Sequence, residues 1–482
     1  MKSVAVIGGG ITGLTAAFRL SQKHIPVTVY EASDRVGGVI QSLHRDGYLA
    51  EFGPNTLLET SPKIGEMIRL LGLEKRRLYS DEAARNRYLV RGKKPIAMPD
   101  SFSGFLRTPL FSAHAKWCLF CEPFIPPWDN RHEESVAEFV VRRLGQEFLS
   151  YAIDPLVGGI YAGDPYRLSV LQAFPKLYAL EQRYGSLIKG QIFGAAERKR
   201  RAEVSKQDAK KISFDEGLQV MPDTFRDRLG DQVILGAQVI NLNRETNDWT
   251  VTWSVNGRSQ SQSHAAVLFA GPAYKLAEIN LTNAGPIDLS LFGQIHYPPV
   301  ASIVLGFRRS DVAHPLDGFG ILIPKIEGFH ILGTLFSSSL FPGRAPDGHV
   351  ALTSYIGGTR CPHLALKPSE ALVELTVKDL RTLLGITGSP TFQHCILYPR
   401  AIPQYEVGYG RFKSQMDRIE VQAPGLFLAG HYRHGVSLSD SLVSGYDVAD
   451  RIEQYLERAP SIAPNPNGSA RTQSVDVPLP QP

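Results

Sequence analysis

The chain opens on an apolar, β-branched run, Val4-Ala5-Val6-Ile7, of the unbroken kind that suits a strand buried on both faces. Leu14, Ala17 and Phe18 follow at helical spacing, and a second apolar run, Val27-Thr28-Val29-Tyr30, ends in Glu31. This pattern predicts strand, turn, helix, strand. Farther on, Asn86 to Lys93 reads as a hairpin closing at Arg91-Gly92-Lys93. Glu133 to Gly145 carries Val136, Phe139, Val140 and Leu144 on one helical face. Short strands are predicted over 232–240, and an alternating strand over 249–254 turns at Asn256-Gly257. A buried strand covers 265–270. A separate sheet-rich region from about Leu276 to Gly388 holds strand patterns at 301–307, 319–323, 330–335 and 349–356. The last strand, Leu426 to Gly430, precedes a helix opened by Ser437 to Gly445. From Ala459 the chain is proline-rich with no periodic apolar face, which predicts a disordered tail over 459–482.

The first turn carries chemistry. Gly8-Gly9-Gly10-Ile11-Thr12-Gly13 lies between strand and helix, and Glu31 ends the second strand. Gly8 suits the tight turn, Gly10 lets backbone approach a pyrophosphate, and Gly13 lets helix and strand pack closely. Free N–H groups and the helix dipole favour the negative charge, while Glu31 suits a ribose diol. The reading is a dinucleotide-binding βαβ unit.

With 482 residues, two or three domains are expected. The 43% apolar and 21% charged content is that of an ordinary globular protein. A net charge of +5 is mild and fits anionic ligands or an anionic membrane surface without requiring nucleic acid. Four cysteines are too few for a disulfide framework, which points to a reducing compartment. The first strand starts so early that no targeting peptide is expected, and no apolar run is long enough to span a bilayer.

Between Phe102 and Trp128 bulky apolar and aromatic residues mix with Arg107, His114 and Lys116. This suits either a segment lying on a membrane or the core of a helical subdomain. Cys118 and Cys121 within it are read as buried thiols on one helical turn, not a redox or zinc pair. The glycines of Asp154 to Pro165 signal backbone pressed against something large, or a loop. The basic run from Glu197 to Lys211 reads as a solvated excursion, with anionic lipid as the second choice. No Ser-His-Asp, Cys-His or metal-ligand constellation stands out, so no metal is expected.

Past Glu31, the Arg35-Val36-Gly37-Gly38 extension resembles the FAD-binding amine oxidase and desaturase superfamily. More specific pieces resemble the oxygen-dependent protoporphyrinogen oxidase family. They are Gly53-Pro54-Asn55-Thr56, Gly159 to Pro165, Leu332 to Pro342, Ile402-Pro403-Gln404-Tyr405 and Gly435-Val436-Ser437-Leu438. The resemblance runs from residue 1 to about 456. It implies an α/β + α fold: a discontinuous Rossmann-like FAD domain (1–82, 212–273, 389–456), an antiparallel-sheet substrate domain (83–102, 188–211, 274–388) and a helical membrane-binding insertion (103–187).

Non-covalent FAD is then implied at Gly8, Gly9, Gly10, Ile11, Thr12, Gly13, Glu31, Ala32, Arg35, Gly38 and Val39. The same holds for Gly53, Pro54, Asn55, Thr56, Val239, Gly430, Val436, Ser437 and Leu438. For a tetrapyrrole substrate the resemblance implies Arg87 on a propionate, Leu322 and Leu335 against one pyrrole ring, Tyr355 on the next, and Gly159 facing the central nitrogens. His431-Tyr432 and Ala162 depart from the family pattern.

The implied reaction is oxidation of protoporphyrinogen IX or coproporphyrinogen III, with O2 as acceptor. No catalytic side chain is singled out, since the flavin carries the chemistry. A homodimer, a peripheral site on the cytoplasmic membrane and hand-over to a ferrochelatase are implied in the same way. An amine oxidase, a polyene desaturase and a non-enzymatic flavin scaffold are the rivals.

Overall fold

The computed structural model describes residues 2–128, 132–194 and 209–458. The basic run beyond Gly194 and the tail from 459 therefore lie largely or wholly outside the described residues. The opening pattern folds as predicted. Val4–Ile7 is fully enclosed in a five-stranded parallel sheet of order Val233–Ile234, Val27–Tyr30, Val4–Ile7, Ala266–Phe269 and Leu426–Leu428. Helix Ile11–Gln22 packs along the last helix, Leu438–Arg458. At their crossing Thr12 Oγ1 donates to the Ser441 carbonyl at 2.9 Å. Only the hydrogen of Gly445 fits over the Thr12 carbonyl.

A second layer, the hairpin Asp248–Val255 and Arg258–His264 beside Gln238–Glu245, turns at Asn256 and Gly257, both at positive φ. A third sheet has seven strands. Their order is Phe392–Tyr398, Val300–Arg308, His349–Gly357, Ile331–Leu335, Gly318–Leu322, Asn86–Arg91 and Lys94–Ala97. One face carries Tyr88, Val90, Ile303, Leu305, Ile321 and Ile323 into a core shared with helix Ser369–Leu384. The opposite face looks toward a group of helices.

Those helices are held by charge as much as by apolar contact. Val136–Leu144 starts with a capping box between Ser135 and Glu138. Arg143, fully buried, bonds Glu181 and lies 3.3 Å from Glu122. Glu122 also accepts from the Leu187 and Ile188 N–H groups at the start of helix Leu187–Phe193. Such a cluster is tolerable in the interior because each charge is paired and hydrogen-bonded, and removing one member would strand the others.

The sheet topology moves several boundaries. Phe392–Tyr398 pairs with Val300–Arg308, so it belongs to the seven-stranded sheet and not with 389–456. Helix Leu187–Phe193 packs on Pro175–Tyr184, which takes it out of the 188–211 piece of the sheet region. Asn280–Asn283 extends the Gln238–Glu245 sheet, so the third sheet starts later than 274. That sheet is mixed and not antiparallel, because Asn86–Arg91 arrives from far upstream and pairs in parallel with Gly318–Leu322. The glycine-rich stretch after Asp154 is a helix, Asp154–Tyr161, following a π-helical turn at Leu149–Ile153. Its glycines mark close approach, not a loop.

Candidate active site

At the first turn each glycine has a distinct surrounding. Gly8 holds φ +105°, and a Cβ there would lie 3.0 Å from the Gly271 nitrogen. A Cβ on Gly13 would collide with the Gly8 carbonyl, so helix and strand meet at their closest there. A Cβ on Gly10 would meet no protein atom within 4 Å. Gly10 thus borders open space at a helix N-terminus, the cradle a pyrophosphate needs. Glu31 accepts from the Gly9 N–H at 2.6 Å and the Ser33 N–H at 2.8 Å, which fixes its carboxylate beside that cradle.

The loop that follows leads toward the seven-stranded sheet. Arg35 turns back on its own loop, donating to the Val36, Gly38 and Ile40 carbonyls at 3.1, 2.6 and 3.0 Å. The loop so tied brings Gly38 against Gly10: a Cβ on Gly38 would lie 3.5 Å from the Gly10 Cα. The next residue, Val39, presents its carbonyl to Gly53, where a Cβ has no room. Gly53 in turn accepts a hydrogen bond from Tyr355 of the sheet at 3.3 Å. A continuous series of close approaches therefore runs from the glycine turn to the sheet. Val39 is itself exposed along this path.

Two other segments border the same region. Val239 is buried and pairs with Trp253, whose ring packs on Tyr30 at 4.7 Å, and Ala237 N–H bonds the Glu31 carbonyl. At the last helix Ser437 and Asp440 cap reciprocally, Asp440 N–H to Ser437 Oγ at 3.2 Å. Ser439 bonds both N–H and C=O of Leu58, just past Thr56, at 3.0 and 2.7 Å. The helix N-terminus, with Leu438 as its first residue, is thereby tied to the Asn55-Thr56 turn. Gly430 holds φ +128° just before His431. The His431 ring stands edge-on to Tyr297 at 5.8 Å, and burial pushes its pKa down to about 4. Its imidazole is neutral at physiological pH.

On the seven-stranded sheet the register aligns the remaining expected residues. One row across the strands is Arg87, Gly320, Leu335 and Thr353. The next row, two residues along each strand, is Leu89, Leu322, Gly333 and Tyr355. Paired residues point to the same side, and so do residues two apart. Arg87, Leu322, Leu335 and Tyr355 therefore share one face, and each is only half-buried, so that this face is a partly open slot. Helix Asp154–Tyr161 covers it, and a Cβ on Gly159 would lie 2.5 Å from Leu322 Cδ2.

Two features of the slot went unforeseen in the sequence. Arg360 Nη2 meets Asp154 Oδ2 at 2.9 Å and the Asp154 carbonyl at 2.6 Å, while Nη1 donates to the Ile323 carbonyl at 3.0 Å. Burial raises the Asp154 pKa and lowers that of Arg360, against the pull of their opposite charges. This pair clips the Gly159 helix to the sheet. Lys211, at the end of the basic run, lies over the Phe319 ring at 5.6 Å; burial first, then the Arg87 charge, lowers its pKa. Arg87, a cation at one end of an apolar slot, attracts carboxylates. For Lys211 the only sequence signal was the residue itself, submerged in a run read as solvated.

Among the described residues no His, Cys, Asp or Glu cluster is able to hold a metal. Cys118 and Cys121 are only half-buried on helix Ala113–Cys121, less enclosed than expected. The residues around the glycine turn fit a dinucleotide cofactor, since the open cradle at Gly10, the fixed Glu31 and the path beyond Gly38 match its parts. A flavin bound there would supply two-electron chemistry at its ring.

Known proteins agree. A protoporphyrinogen oxidase of Arabidopsis thaliana (chloroplastic/mitochondrial, form 2) is 35% identical, covering 95% of this chain and 94% of its own. A coproporphyrinogen III oxidase of Bacillus subtilis is 29% identical over 94% of this chain and 98% of its own. A crystal structure from Exiguobacterium sp. 255-15 shares the fold with a TM-score of 0.77 at 22% identity, covering 95% of this chain and 99% of its own. A reduced UDP-galactopyranose mutase shares it at 0.72 and 14% identity, over 94% and 96%. The sequence pattern of flavin containing amine oxidoreductases matches residues 11–453, from the glycine turn to the last helix, and the chain belongs to that family.

Proposed function

We propose that this enzyme oxidises a porphyrinogen to a porphyrin, using non-covalent FAD and O2. The observation that carries the reading is the slot. A porphyrinogen is a broad apolar macrocycle with carboxylates at its rim. The slot offers Leu322, Leu335 and the Tyr355 ring as apolar walls and Arg87 for the rim. Gly159, pressed against Leu322 at the edge of the slot, carries no side chain that would push Leu322 into it. FAD held by the Gly8–Gly13 turn and Glu31 would supply the two-electron oxidation chemistry. The protein's part is to orient the macrocycle edge toward it, exclude water with helix Asp154–Tyr161 and anchor the propionates.

Relatives named for protoporphyrinogen and for coproporphyrinogen III both match this chain along nearly its full length. The two substrates differ in the number of propionates, so the charge at Arg87 bears on the choice. The helices beside the sheet expose Phe102, Trp117, Phe124, Ile192 and Phe193, each more than 60% accessible. Among the described residues no helix is long and apolar enough to cross a membrane. This face suits peripheral contact with lipid, from which a hydrophobic porphyrinogen would arrive.

Anaerobic mixing of the FAD-loaded protein with protoporphyrinogen IX, and separately with coproporphyrinogen III, tests the proposal. Flavin bleaching followed by porphyrin fluorescence on admitting air identifies the substrate. A fully loaded flavin bleached by neither sinks the porphyrinogen reading.

A further inference from the structure

The Tyr355 side chain does two things at once. Its ring lies on the slot face of the sheet, between the paired residues Gly333 and Ser302. Its hydroxyl reaches out of the sheet. It accepts from Asn55 Nδ2 at 2.7 Å and donates to the Gly53 carbonyl at 3.3 Å. Asn55 Nδ2 also donates to the Gly53 carbonyl at 3.3 Å, which closes a triangle of three hydrogen bonds. On its other side Gly53 is pressed against the Val39 carbonyl, with no room for a Cβ. The turn is thus held between the cofactor loop and one hydroxyl of the substrate sheet.

A phenol has a single hydrogen to donate, and here it goes to Gly53. Burial raises the Tyr355 pKa, so the proton stays on the oxygen at physiological pH. The hydroxyl is therefore occupied by the protein itself and not available for proton exchange with a ligand.

We propose that the Tyr355 hydroxyl is a positioning group. It locks the Gly53-Pro54-Asn55-Thr56 turn to the sheet and so sets the distance between the cofactor and the slot. Hydride transfer tolerates little error in that distance, and a displacement of about 1 Å costs on the order of 100-fold in rate. The inference rests on the flavoenzyme reading for its kinetic consequence, and on the hydrogen bonds alone for its structural one.

The test uses Tyr355→Phe, which keeps the ring and removes only the hydroxyl, together with Asn55→Ala and the double variant. Titration of apoprotein with FAD should show affinity weakened about tenfold in Tyr355→Phe, with a shifted flavin absorption band. Stopped-flow bleaching by porphyrinogen should slow about tenfold or more at saturation, while half-saturation moves less than about threefold. The double variant should be no worse than the poorer single one, since both remove the same triangle. FAD affinity, flavin spectrum and bleaching rate all within about twofold of the native protein would overturn the proposal, as would fully additive losses. Should the native holoenzyme not bleach with any porphyrinogen, the FAD titration and spectrum still decide the matter, and the two failures stay separate.

Discussion

Gly159 and Leu322 meet at one edge of the slot, with no space for a methyl group between them. A Cβ on Gly159 would sit 2.5 Å from Leu322 Cδ2, the mobile end of a side chain. Gly159→Ala would push that side chain toward the substrate. Alanine is the better helix former by about 1 kcal/mol, so helix Asp154–Tyr161 should be no less stable. The expected result is an unchanged or raised Tm with a porphyrinogen KM about tenfold higher. Unaltered kinetics in this variant would place the substrate elsewhere.

Arg87 stands at one end of the same slot face. Losing a charged hydrogen bond to a propionate costs about 1.5–3 kcal/mol. Arg87→Ala should therefore raise KM by about 10- to 100-fold, with Arg87→Lys intermediate because a point charge replaces a fork. Steady-state porphyrin fluorescence measures this, and a KM equal to that of the native enzyme would remove Arg87 from the site.

The glycines of the first turn should separate cofactor binding from folding. Gly10→Ala meets no protein atom within 4 Å, so the apoprotein should melt at its native temperature yet lose FAD affinity about tenfold or more. Gly13→Ala drives a methyl into the Gly8 carbonyl and should lower the apoprotein Tm as well. Calorimetry with and without FAD distinguishes them. Equal behaviour of the two variants would contradict the assignment of Gly10 to the phosphate cradle.

Acid should destabilise the parallel-sheet region through His264. This ring is buried between Ser3 Oγ at 3.1 Å and Tyr30 Oη at 2.9 Å, and burial pushes its pKa from 6.5 down to about 4. As pH falls the unfolded chain takes up the proton first, so this stability is complete above about 6.5 and is lost as pH drops toward 4. The slope is roughly 1.4 kcal/mol per pH unit. His264→Gln should flatten the dependence of unfolding free energy on pH within that window. A slope identical to the native protein's would show that His264 does not titrate with folding.

The exposed aromatic residues make a last prediction. Phe124, 86% accessible, and Trp117, 66% accessible, stand on the outer side of the helices. Trp117→Ser with Phe124→Ser should release the protein from anionic lipid vesicles in flotation, with solution activity retained. Equal flotation of native and variant protein would exclude this face as the contact.

Much of this was legible in the chain wherever a local pattern carries its own physics. The run Val4 to Ile7, the glycines after it and the strands around 301–307 and 349–356 are each decided within a few residues, by burial on both faces or one. Gly158 and Gly159 announced close approach, yet not the helix that makes it, because glycine lowers helix propensity while the packing of Arg360 and Leu322 overrides it. Arg360 and Asp154 are far apart in sequence, and nothing local marks them as a pair. Phe392–Tyr398 joins the seven-stranded sheet and not the domain expected for 389–456, because pairing partners are a property of topology, not of the strand. The alignment of Gly320 with Arg87, and of Gly333 with Tyr355, depends on register in the same way.

The seven-stranded sheet divides its residues by parity. Along Gly318–Leu322, Ile321 belongs to the interior shared with Ser369–Leu384, whereas Gly320 and Leu322 belong to the slot. Neighbours in sequence thus answer to different selective demands, one for staying folded and one for which macrocycle is admitted. A lineage is free to exchange slot residues and retune its substrate while the odd-numbered half of the strand keeps the scaffold intact. Close kin acting on tetrapyrroles with different rims are what such an arrangement would be expected to yield.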